Sequence, residues 1–164
     1  MTIETEEIEL PWCIVPLEEE HGKLICKWRY PYPYDLYNWP NWEQMVLEEL
    51  DYADPAIRAQ QYFAVLDEQQ SLCGFVQFFP IVGVTRLGLG LHPDRVGKGL
   101  GTAFVKLLVR EAVARAPSNQ IDLEVLIWNI RAQRTYMKAG FAITDTYERM
   151  TPNGLATFHC MVYS

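Results

Sequence analysis

A mixed α/β fold, one sheet with helices against its faces, is what this sequence predicts, and three observations carry the prediction. Apolar segments with the period and composition of strands, such as YFAVL and LCGFVQFFP, are interspersed with segments of helical period. The helical stretch 99–116 stands between strand-like stretches 87–91 and 121–127, a β-α-β unit whose right-handed crossover makes those two strands parallel. The other strand-like stretches include pairs joined by short polar turns, which makes those pairs antiparallel. The sheet is expected to be mixed and mostly antiparallel, with about six to seven strands.

The elements follow in order. Residues 8–17, IELPWCIVPL, read as a first strand broken by Pro11. EEEHGKLICKWRY, 18–30, reads as a helix, because acids open it and Leu24, Ile25 and Trp28 recur at helical spacing. From Trp28 to Trp42 seven aromatic residues fall within 15 positions, interleaved with Pro31, Pro33 and Pro40, so 31–40 is expected to be extended or irregular. A second helix follows over about 41–51, and Asp54-Pro55 caps and starts a short third one. Strands 62–66 and 72–80 form a hairpin around DEQQS. In the strand 87–91, Gly88 and Gly90 leave room for a ligand backbone to approach. The helix 99–116 buries Leu100, Ala103, Phe104, Leu107, Leu108 and Ala112, and Pro117 lies beyond its end. Strand 121–127 leads to a helix over 129–140 closed by Gly140, and 141–150 and 156–164 make a last hairpin around TPNG.

Most of the chemical information lies in 87–102, LGLGLHPDRVGKGLGT. A strand runs into a Pro-marked bend and then a glycine-rich loop that opens a helix. Such a loop lets consecutive N–H groups converge on an anion, which the helix dipole also favours. It is not a Walker loop, since His92 stands where the first glycine belongs and Gly99, not Ser or Thr, follows Lys98. Nor is it a dinucleotide fingerprint, because Thr102 replaces the third glycine and the loop follows a hairpin rather than a first strand.

Val96-Gly97-Lys98-Gly99-Leu100-Gly101 resembles the acetyl-CoA-binding segment of the GNAT acetyltransferases, [QR]-x-x-G-x-[GA], with Val96 in place of the family's Arg or Gln and Arg95 adjacent. A second segment, 123–141, is similar to the family's L-x-V-x-x-x-N-x-x-A-x-x-x-Y-x-x-x-GF at Leu123, Val125, Asn129, Ala132, Tyr136, Gly140 and Phe141. The resemblance implies one domain over 1–164, a sheet splayed between the fourth and fifth strands, and about four helices on its faces. It implies an acetyl-CoA-dependent N-acetyltransferase in which a primary amine attacks the thioester directly. Pantetheine would lie against Leu89, Gly90 and Leu91. The pyrophosphate would rest on Gly97, Lys98, Gly99, Leu100, Gly101 and Thr102, with positive charge from Arg95, Lys98, Lys106 and Arg110. Tyr136 would protonate the departing thiolate, and Asn129 would cap its helix or bond the cofactor. Glu124 matches the base position of the ribosomal-protein-alanine N-acetyltransferases in L-E-V-x-x-x-N, a water relay being the other source of a base.

Trp28, Tyr30, Tyr34 and Tyr37 are expected to border the acceptor pocket, with Asp35 and Glu43 nearby to suit an amine with an apolar body. The acceptor is left open between a small-molecule amine and a protein N-terminus. Two other classes remain beside the enzyme: a non-catalytic acyl-CoA sensor on the same fold, and an interaction module using the aromatic stretch.

Composition narrows the field. The net charge is −7, divided between −11 over 1–68 and +4 over 69–164, so an anionic ligand belongs on the second half. The absence of a dense Lys/Arg stripe argues against nucleic acid, and no apolar run approaches the roughly 18 residues of a membrane span. Cys13, Cys26, Cys73 and Cys160 are scattered, as expected of reduced core thiols in a cytoplasmic protein. The acidic N-terminus, MTIETEEIEL, lacks the pattern of an export signal. His21, His92 and His159 fit no metal set, and a homodimer is compatible with the resemblance.

Overall fold

The computed structural model describes residues 9–164. Seven strands form one sheet, β1 (Cys13–Pro16), β2 (Tyr62–Leu66), β3 (Leu72–Ile81), β4 (Val84–Leu91), β5 (Gln120–Leu126), β6 (Phe141–Thr151) and β7 (Gly154–Tyr163). Their order is β1-β2-β3-β4-β5-β7-β6, and only β4 and β5 pair in parallel. Five helices pack on the sheet: α1 (Glu19–Ile25), α2 (Trp42–Leu47), α3 (Pro55–Gln61), α4 (Gly101–Arg115) and α5 (Ile130–Ala139). The fold is the mixed, mostly antiparallel one that the sequence predicts, with one helix beyond the implied four. No helix among the described residues is long and apolar enough to cross a membrane.

Period-two alternation sorts side chains into two cores. On β2, Phe63 and Val65 join the core under α4 and α5, where Phe104, Leu108, Leu123 and Met161 are fully buried. Ala64 between them faces the second core under α1–α3, built around Ile25, Met45 and Tyr52.

The departures from expectation are local. The first strand covers only Cys13–Pro16 of the predicted 8–17, residue 8 lying outside the described residues. Pro11, with no N–H to give a ladder, stands outside it. The first helix ends at Ile25 rather than Tyr30, because the N–H groups of Lys27 and Trp28 turn back to Leu24 and Ile25 in a tight final turn. The second helix stops at Leu47, and its last predicted residue begins a separate short turn, Asp51–Ala53. Cys13 is exposed rather than in the core, and all four cysteines are free.

The sheet's decisive feature is where it opens. β4 and β5 pair only over Val84–Arg86 and Gln120–Asp122. Arg86 closes the fork with two hydrogen bonds to the Asp122 carboxylate, at 3.0 and 2.9 Å. Beyond it β4 stays on β3 as far as Leu91 and β5 stays on β7 as far as Leu126, so their facing edges separate.

Candidate active site

Main-chain parity decides which groups face the gap. The His92 N–H bonds the Cys73 carbonyl on β3 at 2.9 Å, and β3 and β4 pair without a register shift. Even-numbered residues of β4 therefore point their main chain at β3, and Leu87, Leu89 and Leu91 point theirs into the gap. Gly90 was expected to offer its main chain to a ligand, and it does not. Its lack of a side chain serves Phe75 instead, whose ring would clash with an added Cβ. The Leu91 carbonyl already accepts the Tyr30 hydroxyl at 2.6 Å, which leaves the Leu89 amide and carbonyl at the centre of the open edge.

The bend after β4 is held by His92 Nδ1, which accepts the Asp94 N–H at 3.0 Å. Gly97 and Gly99 then take φ of +77° and +76°, conformations that a residue with a Cβ adopts only with strain. α4 begins at Gly101 with no side-chain cap at Leu100, whereas Asn41, Asp54 and Asn129 cap α2, α3 and α5. The N–H groups of its first turn have no carbonyl four residues back within the helix. With the positive end of the dipole, they make 97–102 chemically suited to an anion.

The cations expected there divide. Lys98 is exposed on the loop. Arg95 instead reaches back to Asp67 at 2.5 Å and lies over the Trp12 ring, so its charge is spent pinning the bend. Asp67 also accepts the N–H groups of Gln69 and Ser71, and the Ser71 bond leads the causes that hold its carboxyl below the ordinary range. Lys106 and Arg110 line a separate hollow with Lys138 and Ser164, and Arg110 pairs with Glu9 at 3.6 Å.

Between the strands lies a cleft of about 290 Å³. β4, Val96 and Leu123–Leu126 of β5 line it, and Asn129, Ala132 and Tyr136 of the α5 segment reach the same space. Asn129 caps α5, its Oδ1 accepting the Ala132 N–H at 3.1 Å, while its Nδ2 donates to the Tyr37 hydroxyl at 3.0 Å. Tyr136 rests edge-on against Phe141, and burial pushes its phenol well above the ordinary value. It keeps its proton at neutral pH.

Glu124 also lines the cleft, held by donors on several sides. Its Oε2 accepts from the Tyr147 hydroxyl in a very short bond and from Arg149 Nε at 3.2 Å. Its Oε1 lies 3.5 Å from Arg86. A carboxylate has about four lone-pair positions, so this arrangement leaves room on Oε1.

The aromatic wall comes from the segment after α1. Tyr30, Tyr34, Tyr37 and Trp39 line the cleft. Trp28, expected among them, is 7% exposed and packs into the second core against Phe75 and His92. It stands three residues past the end of α1, where its N–H turns back to the Ile25 carbonyl at 3.1 Å and the ring enters the core. Asp35 and Glu43 are exposed and do not line the cleft. Sequence reasoning missed Phe75, Arg131 and Phe158 as lining residues, and Arg86, Tyr147 and Arg149 around Glu124. The alternation of β5 puts Asp122 and Glu124 on one face, a signal for Arg86; the partners on β6 needed the register.

Residues 23–141 match the Acetyltransferase (GNAT) family. The chain belongs to the GNAT acetyltransferases. Solved structures share the fold. A chimeric spermidine N-acetyltransferase with Vibrio cholerae as a source is 19% identical, with 93% of this chain and 95% of that one covered and a TM-score of 0.72. A spermidine N-acetyltransferase from Vibrio cholerae in complex with CoA and spermine is 19% identical, with 93% and 94% covered and a TM-score of 0.69. Both motif segments of this GNAT acetyltransferase contribute to the cleft, the loop through Val96 and the segment 123–141 through Leu123–Leu126, Asn129, Ala132 and Tyr136, joined there by an aromatic segment that neither motif includes. Among the described residues no group of three His, Cys, Asp or Glu side chains is placed to hold a metal ion.

Proposed function

We propose that this acetyltransferase moves the acetyl group of acetyl-CoA onto a small-molecule primary amine by direct attack within the cleft between β4 and β5. The observation that carries this is the fork itself. An open strand edge at Leu89 runs into a loop of converging amides, with a protonated Tyr136 in the same space. The diphosphate of CoA rests on 97–102 with Lys98 beside it, and pantetheine lies along Leu89 and past Val96 and Asn129.

In the reaction the amine nitrogen attacks the thioester carbonyl carbon, and the Leu89 N–H stabilises the resulting oxyanion. Glu124 takes the proton lost by the amine, using the oxygen that Tyr147 and Arg149 leave open. The carbon–sulfur bond breaks, and Tyr136 gives its proton to the departing thiolate. Both residues then re-equilibrate with water. A covalent acyl-enzyme has no support, since none of the four cysteines lines the cleft and burial pushes Cys73 up to about 12. The structural neighbours named for spermidine favour a small-molecule acceptor over a protein N-terminus. Free thiols throughout fit a reducing, cytoplasmic setting.

The test is thiol release from acetyl-CoA against a panel of amines and peptides. Amine-dependent release, with mass spectrometry showing the acetylated amine, is the expected result. Tight CoA binding without release for any acceptor would make the protein a sensor instead.

A further inference from the structure

Two side chains lining the cleft are of acidic or basic type, Glu124 and Arg131, and they are treated differently. Glu124 is already met by Arg86 and Arg149. Arg131 makes no ion pair among the described residues; its guanidinium lies 3.7 Å from the centre of the Tyr34 ring. With its guanidinium over that ring and no ion-pair partner among the described residues, Arg131 keeps donors for a carboxylate.

The same contact weighs against a second positive charge on the acceptor. An ammonium seeking the face of Tyr34 finds it occupied by the protein's own cation. Nor does Glu124 offer an unpaired carboxylate for a remote ammonium. The cleft is therefore negative only where the reacting amine must lose its proton, and positive at Arg131.

We infer that the acceptor is an amine that also carries a carboxylate on an apolar body, and that Arg131 is the specificity-determining residue that reads this carboxylate. The inference rests on the amine-acetylation reading. It separates this chain from enzymes named for spermidine, which has ammonium groups and no carboxylate.

Matched acceptors test it: γ-aminobutyrate, butylamine and putrescine share a four-carbon body, and phenylalanine pairs with phenethylamine. The carboxylated member of at least one set is expected to have the highest kcat/KM, by roughly ten- to a hundredfold, the range of a charge-assisted pair. Arg131→Gln should erase that preference by raising KM for the carboxylated acceptor, with Arg131→Lys restoring part of it, while calorimetry follows CoA affinity separately. Putrescine or spermidine as the best acceptor overturns the inference and leaves amine acetylation standing. So does an Arg131→Gln variant that loses all acceptors equally or loses CoA. If CoA binds and no amine is acetylated, both readings fall.

Discussion

The wall proposed to hold the cofactor is made of main chain, and the wall proposed to hold the acceptor is made of side chains. On the first, φ values at Gly97 and Gly99, the uncapped start of α4 and the unpaired edge at Leu89 do the positioning. On the second, Tyr30, Tyr34, Tyr37 and Trp39 do it with rings and hydroxyls. Two hydroxyls tie the walls together, Tyr30 to the Leu91 carbonyl and Tyr37 to Asn129. A main-chain site tolerates many side chains and few backbone changes; a side-chain site behaves the other way round.

The largest expected effect falls on chemistry that both walls share. Tyr136→Phe should lower kcat about a hundredfold or more, within the range of a lost general acid, and change CoA affinity by no more than about threefold. Because burial raises this phenol, its proton stays on as pH climbs through its ordinary value of about 10, so Tyr136 should not set an alkaline limb of wild-type kcat. A pH–rate profile of the wild type and the variant reads both points.

Next comes a break confined to the cofactor wall. Gly99→Val forces a β-branched residue into a positive φ, at a cost of about 1–3 kcal/mol, or up to roughly 5- to 150-fold in CoA affinity. Acceptor KM at saturating acetyl-CoA should hold steady. An equal loss on both sides would show the walls to be one unit.

The cross-ties sharpen the comparison further. Tyr30→Phe and Tyr37→Phe each remove a bond of about 0.5–1.5 kcal/mol. Steady-state kinetics should show both KM values rising severalfold, since the aromatic segment loses its hold on the cofactor wall. A rise in acceptor KM alone would mean the ties do not reach the cofactor.

The smallest effect concerns the bend. The Asp67 carboxyl is held low by the Ser71 and Gln69 N–H groups and by Arg95. Its stabilising contribution is present above the ordinary carboxylate value of about 4 and disappears as pH falls through the lowered folded value. Thermal melts should show Asp67→Asn less stable at neutral pH, with the gap closing on acidification.

The same division explains what the sequence disclosed. The loop at 97–101 and the segment from Leu123 to Phe141 were legible because each needs a residue type at a fixed spacing, glycine for φ or Asn for a cap. Gly90 misled because a missing side chain does not say what fills the space, and here Phe75 does. Trp28 misled because composition cannot distinguish a tryptophan turned into the core from one facing a cleft. The setting of Glu124 by Tyr147 and Arg149 depends on the register of three strands, with a shift on β6 between Ile143 and Asp145. No local pattern encodes that.

The most direct measurement is calorimetric titration of the wild-type protein with coenzyme A and, separately, with pantetheine, which shares the arm and lacks the diphosphate. If bare amides grip the diphosphate, coenzyme A binds and pantetheine is weaker by roughly a hundredfold or more, the worth of one or two hydrogen bonds to a charged group. Equal binding of the two, or no heat from coenzyme A at millimolar concentration, would contradict the account.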